Sequence, residues 1–237
     1  MKVGVVGAAT EDTVALGQGE PEVRPGGTPR YAARALRFAG AEPIVVETGS
    51  LRSLIEHGPS GTRQEILSLP EPLTPERARR EVLPALEGCE WVLLGGQTAG
   101  DFPAETIAVL AAAGRRICLD GQGLARGNRI GPVRLGRLAQ RDLAGITALK
   151  LNQAEADAAG RLHVPELLVT RAERGVQVRW HDQQHEIAGD GRRFGDPTGA
   201  GDSFAALYCL ERSRGALPPA AAWTAVKTVE RLYDDQR

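Results

Sequence analysis

The sequence is short of several things, and each shortage removes a class of protein. Of 237 residues only 4% are aromatic, three are cysteine and one is methionine. Cys89, Cys118 and Cys209 stand far apart in apolar contexts and make no CxxC or Cys/His metal spacing. That excludes a disulfide framework and a zinc module, and reads as buried free thiols in a reducing compartment. Charge of one sign is also missing: 29 Lys plus Arg face 30 Asp plus Glu, a net charge of -1, so no basic surface invites nucleic acid. No run reaches the roughly 18 apolar residues of a membrane span. The opening MKVGVVGAAT reads as a strand rather than a leader, and the expectation is a cytoplasmic protein without a membrane or nucleic-acid partner. There is no GxSxG elbow, and GVVGAA at Gly4 to Ala9 lacks the full GxGxxG and its acidic partner, which makes an NAD-dependent enzyme a distant reading. His181 and His185 lie in an expected turn with no third ligand near them in sequence.

What is present is an ordinary globular composition, 42% hydrophobic and 25% charged, with no repeat and no linker that would divide residues 1–237 into two domains. Short apolar runs alternate with helical patterns, the signature of an α/β fold with a mostly parallel sheet. The runs predict strands at Lys2 to Val6, Pro43 to Glu47, Trp91 to Leu94, Arg116 to Leu119, Ala148 to Leu151 and Glu166 to Thr170. Helices are predicted over Pro29 to Phe38, Pro75 to Leu86, Pro103 to Ala113, Ala154 to Ala159, Gly201 to Ser213 and Pro219 to Tyr233. Two stretches break the rhythm. VALGQGEPEVR, Val14 to Arg24, predicts a small two-stranded excursion turning at Gly17 to Gly19. GVQVRWHDQQHEI, Gly175 to Ile187, predicts an antiparallel hairpin with its turn at His181 to Gln184. Trp91, Trp180 and Trp223 read as packing residues.

The most informative segment is GDPTGAGDSF, Gly195 to Phe204. Gly199, Ala200 and Gly201 carry little or no side chain, so backbone N–H groups at a helix N-terminus are open to an anion that the helix dipole also favours. Asp202 in the first helical turn stands beside that anion, where a carboxylate takes a proton from an attacking hydroxyl. On spacing alone a Gly-rich turn with a dipole-complementing Asp is an equal reading. No Lys-Ser or Lys-Thr follows the glycines, so the segment is not a P-loop. KLNQAE, Lys150 to Glu155, places Asn152 and Glu155 three apart at a helix start, the spacing of a capping box.

These segments together resemble the ribokinase-like, or PfkB, family of sugar and nucleoside kinases. GDPTGAGDSF resembles its C-terminal signature, GGTPRYAARALRFAG from Gly26 its N-terminal one, GAATED at Gly7 to Asp12 its first strand end, and KLNQAE its NxxE segment. LDGQGLAR, Leu119 to Arg126, resembles an Asp-Gln-Gly-Arg variant found after a central strand in some members. The resemblance implies a three-layer α/β/α domain with a small or vestigial β lid, spanning about residues 12–26. It implies ATP-dependent phosphorylation of a hydroxyl on a sugar, cyclitol or nucleoside. Asp202 is then the base, and the amides of Gly199, Ala200 and Gly201 the anion hole. Asp12, Gly26, Gly27 and Tyr31 would meet the acceptor. Thr170, Gly175, Thr198 and Arg126 would meet the nucleotide, and Asn152 and Glu155 would hold Mg²⁺ through its waters. A homodimer is open to such a chain. A non-catalytic member that binds a nucleotide or metabolite is the alternative.

The sequence also departs from the family. Tyr31 stands where many members have Asn, as in a subset that includes inositol and cytidine kinase-like proteins. VTRAERG has Ala172 in place of the first Gly of VTxGxxG. The chain is short between Thr48 and Thr74, which predicts trimmed substrate-contacting elements, and the helix expected to flank adenine is replaced by AAAWTAVKTVERLYDDQR.

Overall fold

The computed structural model describes residues 1–17, 19–58 and 61–234. Gln18 of the expected turn, Pro59 and Ser60 of the segment expected to be trimmed, and Asp235 to Arg237 of the C-terminal segment lie outside them. The elements run in the order β1 (Lys2–Leu16), β2 (Glu22–Gly26), α1 (Thr28–Phe38), β3 (Glu42–Gly58) and β4 (Gly61–Ile66). Next come α2 (Pro75–Arg77), a π turn (Ala78–Val82) and α3 (Leu83–Ala85), which follow one another without a break, then β5 (Trp91–Gly95), α4 (Ala104–Ala112), β6 (Arg116–Asp120) and α5 (Gln122–Ala125). The chain continues through β7 (Gly131–Pro132), β8 (Ile146–Asn152), α6 (Gln153–Ala159), β9 (Glu166–Thr170), β10 (Gly175–Trp180), β11 (Gln183–Ala188), α7 (Ala200–Ser213) and α8 (Pro218–Asp234).

All the strands belong to one sheet, in the order β11-β10-β9-β8-β6-β5-β1-β3-β4-β7 with β2 on β1. Strands β9, β8, β6, β5, β1 and β3 pair in parallel, as the α/β rhythm predicts. Alternate strand residues feed two cores. Val3, Val5, Leu93 and Cys118 pack under α1, α7 and α8, while Val6, Leu94, Leu119 and Leu151 pack on the other face against residues of the 75–85 helix and α4. The predicted hairpin is β10–β11, and His181 and Asp182 at its turn have φ of 49° and 59°, the left-handed pair of a tight two-residue hairpin turn. All three cysteines are buried and free, as their contexts predict.

Two expectations need correction. The lid is small, one of the two expected forms, but it reaches well beyond residues 12–26. Strand β1 runs on past the main sheet to Leu16, pairs antiparallel with β2, and keeps its parallel partner β3 out to His57. The segment expected to be trimmed is the rest of the lid: β3 turns back into β4, which pairs β7. Burial of Leu51, Ser53 and Ile55, with Arg52 and Glu56 exposed, is the period-2 pattern that builds it. Trp223 is not a packing residue; it is 55% exposed, because α8 buries the stripe Ala221, Ala222, Ala225 and Val229 and leaves position 223 outside.

Helix α7, which carries Asp202, is pinned to the sheet by a buried polar cluster. Tyr208 donates to Glu166 of β9 at 2.6 Å, Arg212 pairs with the same carboxylate at 2.6 Å, and the Arg212 guanidinium lies 5.2 Å from the centre of the Trp91 ring. Removing one partner of such a pair leaves a buried charge alone. Arg212→Met is therefore expected to destabilise the fold by about 3–5 kcal/mol. The double variant with Glu166→Gln should recover part of that loss; urea unfolding of the three proteins checks both expectations.

Candidate active site

The carboxyl ends of the parallel strands and the lid enclose a cavity of about 720 Å³, the place where open α/β sheets bind ligands. Its lid end is lined by Asp12, His57 and Gln64, its floor by Asp120, Lys150 and Gly199 to Asp202, and its far end by Gly175, Val176, Val226 and Val229.

Asp202 occupies the first turn of α7 behind Gly199, whose φ of 77° requires a residue free to turn left-handed. Its Oδ1 accepts from the Thr28 hydroxyl at the start of α1. Burial and the nearby Asp120 carboxylate push its pKa up to about 6, against the opposing pull of Lys150, Thr28 and Arg126. Lys150, buried at the end of β8, pairs with Asp120 at the end of β6 at 2.9 Å. Burial disfavours its charge, but Asp120, Glu155 and Asp202 outweigh that and hold its pKa above the ordinary value. A Cβ on Gly201 would stand 2.9 Å from Lys150 Nζ, so glycine there lets the ammonium lie directly against the turn.

The amides of that turn differ from the expected set. The Ala200 N–H is spent on the Pro197 carbonyl at 3.0 Å. The N–H groups of Gly199, Gly201 and Asp202 have no acceptor among the described residues, and the Thr198 carbonyl accepts the Tyr233 hydroxyl at 2.9 Å. Asp202's own amide thus stands where Ala200 was expected.

At the lid end, Asp12 is buried and accepts from the Thr10 and Ser53 hydroxyls, each at 2.7 Å. Gly26 lets it tuck beneath the backbone, since a Cβ there would stand 1.9 Å from Asp12 Oδ2. Gly27 and Tyr31 line the cavity, and the Tyr31 ring packs on Gly199, where an added Cβ would be 2.1 Å from the ring. Tyr31 therefore braces the turn as well as facing the cavity.

Asn152 and Glu155 form a full capping box. Glu155 N donates to Asn152 Oδ1 and Asn152 N to Glu155 Oε2, both at 2.9 Å. Asn152 lines the cavity, whereas Glu155 is 1% exposed and turns its other oxygen to Arg126 at 3.5 Å. Arg126 also donates to Gln64 of the lid at 2.7 Å and faces the cavity. No cluster of three His, Cys, Asp or Glu side chains suited to a metal exists among the described residues. The donor set fits a magnesium ion carried on phosphate oxygens and touched through water by Asn152, and it does not fit direct ligation by Glu155. Thr170 and Gly175 line the far end, and Thr198 sits where the lid meets the α7 loop. Ala172 has φ of 49°, a conformation that glycine adopts without strain.

Lys150, Asp120 and Thr28 surround Asp202, and reading the sequence gave them no role although Lys150 opens KLNQAE and Asp120 lies in LDGQGLAR. One signal was available for the first: a lysine inside the apolar strand ITALKLN, in a chain with two others.

With that geometry in view, known structures decide the fold. A pyrophosphate-dependent kinase in the ribokinase family, solved with a pyrophosphate analogue and myo-inositol, matches with a TM-score of 0.77 at 18% identity, over 94% of this chain and 92% of that one. The chain has the ribokinase-like fold. Burkholderia thailandensis nucleoside kinase in complex with inosine matches at 0.73 and 17% identity, over 96% and 89%. Ribokinase from Thermotoga maritima matches at 0.65 and 18%, over 94% and 90%. No family model and no curated protein matches the sequence. The expected three-layer architecture is borne out. No helix among the described residues is long and apolar enough to cross a membrane.

A carboxylate whose pKa is raised by burial weakens the fold wherever it is ionised. Below the unfolded value near 3.8 the acid is neutral in both states, and above about 6 it is charged in both but disfavoured in the folded one. Asp202→Asn is therefore expected to raise the melting temperature of the ligand-free protein at neutral pH, by on the order of 2–4 °C. The gap should close as pH falls through 6 toward 4, and a thermal melt series across that range reads it.

Proposed function

We propose that the protein transfers the terminal phosphoryl group of a nucleoside triphosphate to a hydroxyl of a small polyhydroxylated acceptor, a sugar, cyclitol or nucleoside. The observation that carries this reading is the conjunction at the head of α7. A carboxylate with its pKa raised to about 6, three open amides and the Lys150 ammonium converge on one enclosed floor. A base that must accept a proton near neutral pH works best with a pKa close to it.

In this mechanism Asp12 and the backbone at Gly27 orient the acceptor, with Tyr31 at its side. Asp202 takes the proton of the acceptor hydroxyl, whose oxygen forms the new bond to phosphorus as the bond to the leaving diphosphate breaks. Thr28 keeps Oδ1 engaged and leaves Oδ2 for that proton. Charge developing on the phosphoryl oxygens meets the Gly199, Gly201 and Asp202 amides, Lys150 and Arg126. Magnesium, when bound, neutralises charge on the donor's phosphates. Thr170, Gly175 and Thr198 border the space for the rest of the donor.

Donor choice follows from the far end. Val176, Val226 and Val229 give it an apolar wall, which suits a flat base, while Arg192 and Arg193 line the same cavity and would meet the anionic oxygens of either donor. The pyrophosphate-dependent neighbour makes pyrophosphate the comparison that matters. The test is product release with ATP or pyrophosphate, each with Mg²⁺, against inositols, pentoses, hexoses and nucleosides. Acceptor-dependent ADP release is expected, with the acid limb of kcat/KM bending near pH 6. Asp202→Asn should reduce turnover by on the order of a hundredfold or more. Acceptor-dependent turnover with pyrophosphate alone would reverse the donor assignment. Intact ligand binding without turnover on any acceptor would favour a non-catalytic binding protein.

A further inference from the structure

The loop entering α7 is gripped from across the cleft by two lid side chains that the mechanism above leaves unused. Arg24 on β2 pairs with Asp196 at 2.5 Å, and the same nitrogen donates to the Thr198 hydroxyl at 3.2 Å. His57, near the end of β3, places Nε2 at 3.0 Å from that hydroxyl and Nδ1 at 2.8 Å from the Thr62 hydroxyl. Asp196 in turn accepts the Thr198 amide at 2.9 Å, and Tyr233 of α8 donates to the Thr198 carbonyl at 2.9 Å. Every polar atom of Thr198 is therefore held. Because its hydroxyl oxygen accepts from Arg24, its proton is free for His57 Nε2, which fits a neutral imidazole donating through Nδ1 to Thr62. Burial, assisted by the Arg24 guanidinium and opposed by Asp196, keeps the His57 pKa below its ordinary value.

Thr198 immediately precedes the left-handed Gly199, so its placement sets where the amides of Gly199, Gly201 and Asp202 point. Two of its four partners, Arg24 and His57, are on the lid, one lies in its own loop and one comes from the helical layer. We propose that Arg24 and His57 are positioning residues that couple lid closure to assembly of the anion hole, by fixing Thr198 only while the lid is down. The hole is then complete when water is excluded and slack when the cleft is open, which suppresses transfer of the phosphoryl group to water. The kinetic side of this inference rests on the kinase reading; its structural side does not.

The experiment is residue-resolved hydrogen exchange on the ligand-free full chain, wild type against Arg24→Leu, Arg24→Lys and Thr198→Val, followed by steady-state kinetics. The expected result for Arg24→Leu and Thr198→Val is exchange faster by about tenfold or more at Ala200 and Ser203, whose amides are bonded to the Pro197 and Gly199 carbonyls, with amides of β8 unchanged. Arg24→Lys, which keeps the charge and loses the fork, should fall between. In the kinetic arm kcat should drop by on the order of tenfold to a hundredfold, with acceptor KM within about threefold of wild type. Unchanged exchange at Ala200 and Ser203 in both variants overturns the proposal. So does an equal rise in β8, which marks general loss of stability, or an effect confined to KM. If the wild-type chain shows no turnover, the kinase reading fails and the exchange data alone decide the coupling.

Discussion

The ion pair between Lys150 and Asp120 is the constraint on which the cleft depends. Burying two charges costs several kcal/mol before their attraction returns anything, and an apolar pair would fill the ends of β8 and β6 at less expense. What the pair supplies is a fixed positive charge directly beneath the turn at Gly201. Asp202 stands near a second carboxylate, Asp120, in a buried setting, and both influences push it toward the protonated acid. Lys150 is the first influence that pulls the other way. It leaves Asp202 ionised at neutral pH yet basic enough to take a proton, and it opposes the charge of any phosphate that enters. Glycine at 201 is the steric condition for this, since any side chain there would push the ammonium away from the turn.

The same economy governs Glu155. As a capping box with Asn152 it satisfies the first turn of α6, and a carboxylate near a helix start is favoured in any case. Its second oxygen reaches Arg126, which reaches Gln64, which in turn donates to Ser53 at 3.4 Å, and Ser53 donates to Asp12. A line of polar contacts thus runs from the start of α6 through the lid to the Asp12 carboxylate. The capping geometry and a place in the cleft are not rival descriptions of Glu155: the cap fixes the carboxylate that aims Arg126.

Most of the sheet and all the long helices were legible because burial on two faces leaves periodic traces, in runs such as WVLLG and in the Pro-led helix starts. The lid was misjudged for a physical reason. Where strands pass beyond the helix-covered sheet only one face is buried, so β3 after Thr48 changes from an apolar run to the weak alternation of LRSLIEH, which looks like loop beside it. The GAGD turn was legible because its chemistry is local: consecutive small residues, then an acid. Lys150, Asp120 and Thr28 were not, because their meaning lies in contacts between the ends of separate strands and a distant helix. Ala200 shows the opposite failure, a residue in the right motif whose amide the local turn uses for itself.

The route by which the lid joins the sheet explains why so few contacts can hold it. Strands β1 and β3 are continuous through both layers, and their pairing slips between Gly7/Glu47 and Ala9/Ser50, where β3 carries an extra residue. A bulge bends a strand without ending it. The lid is therefore tethered by two hydrogen-bonded strands rather than hung on loops. Beyond the bulge His57 reaches the tip of β3 opposite Leu16, whereas Arg24 of β2 stands opposite Asp12, part-way out. One guanidinium and one imidazole from the lid thus meet at the single residue Thr198. On the kinase reading proposed above, a short polar grip also leaves the cleft easy to open for release of a charged product.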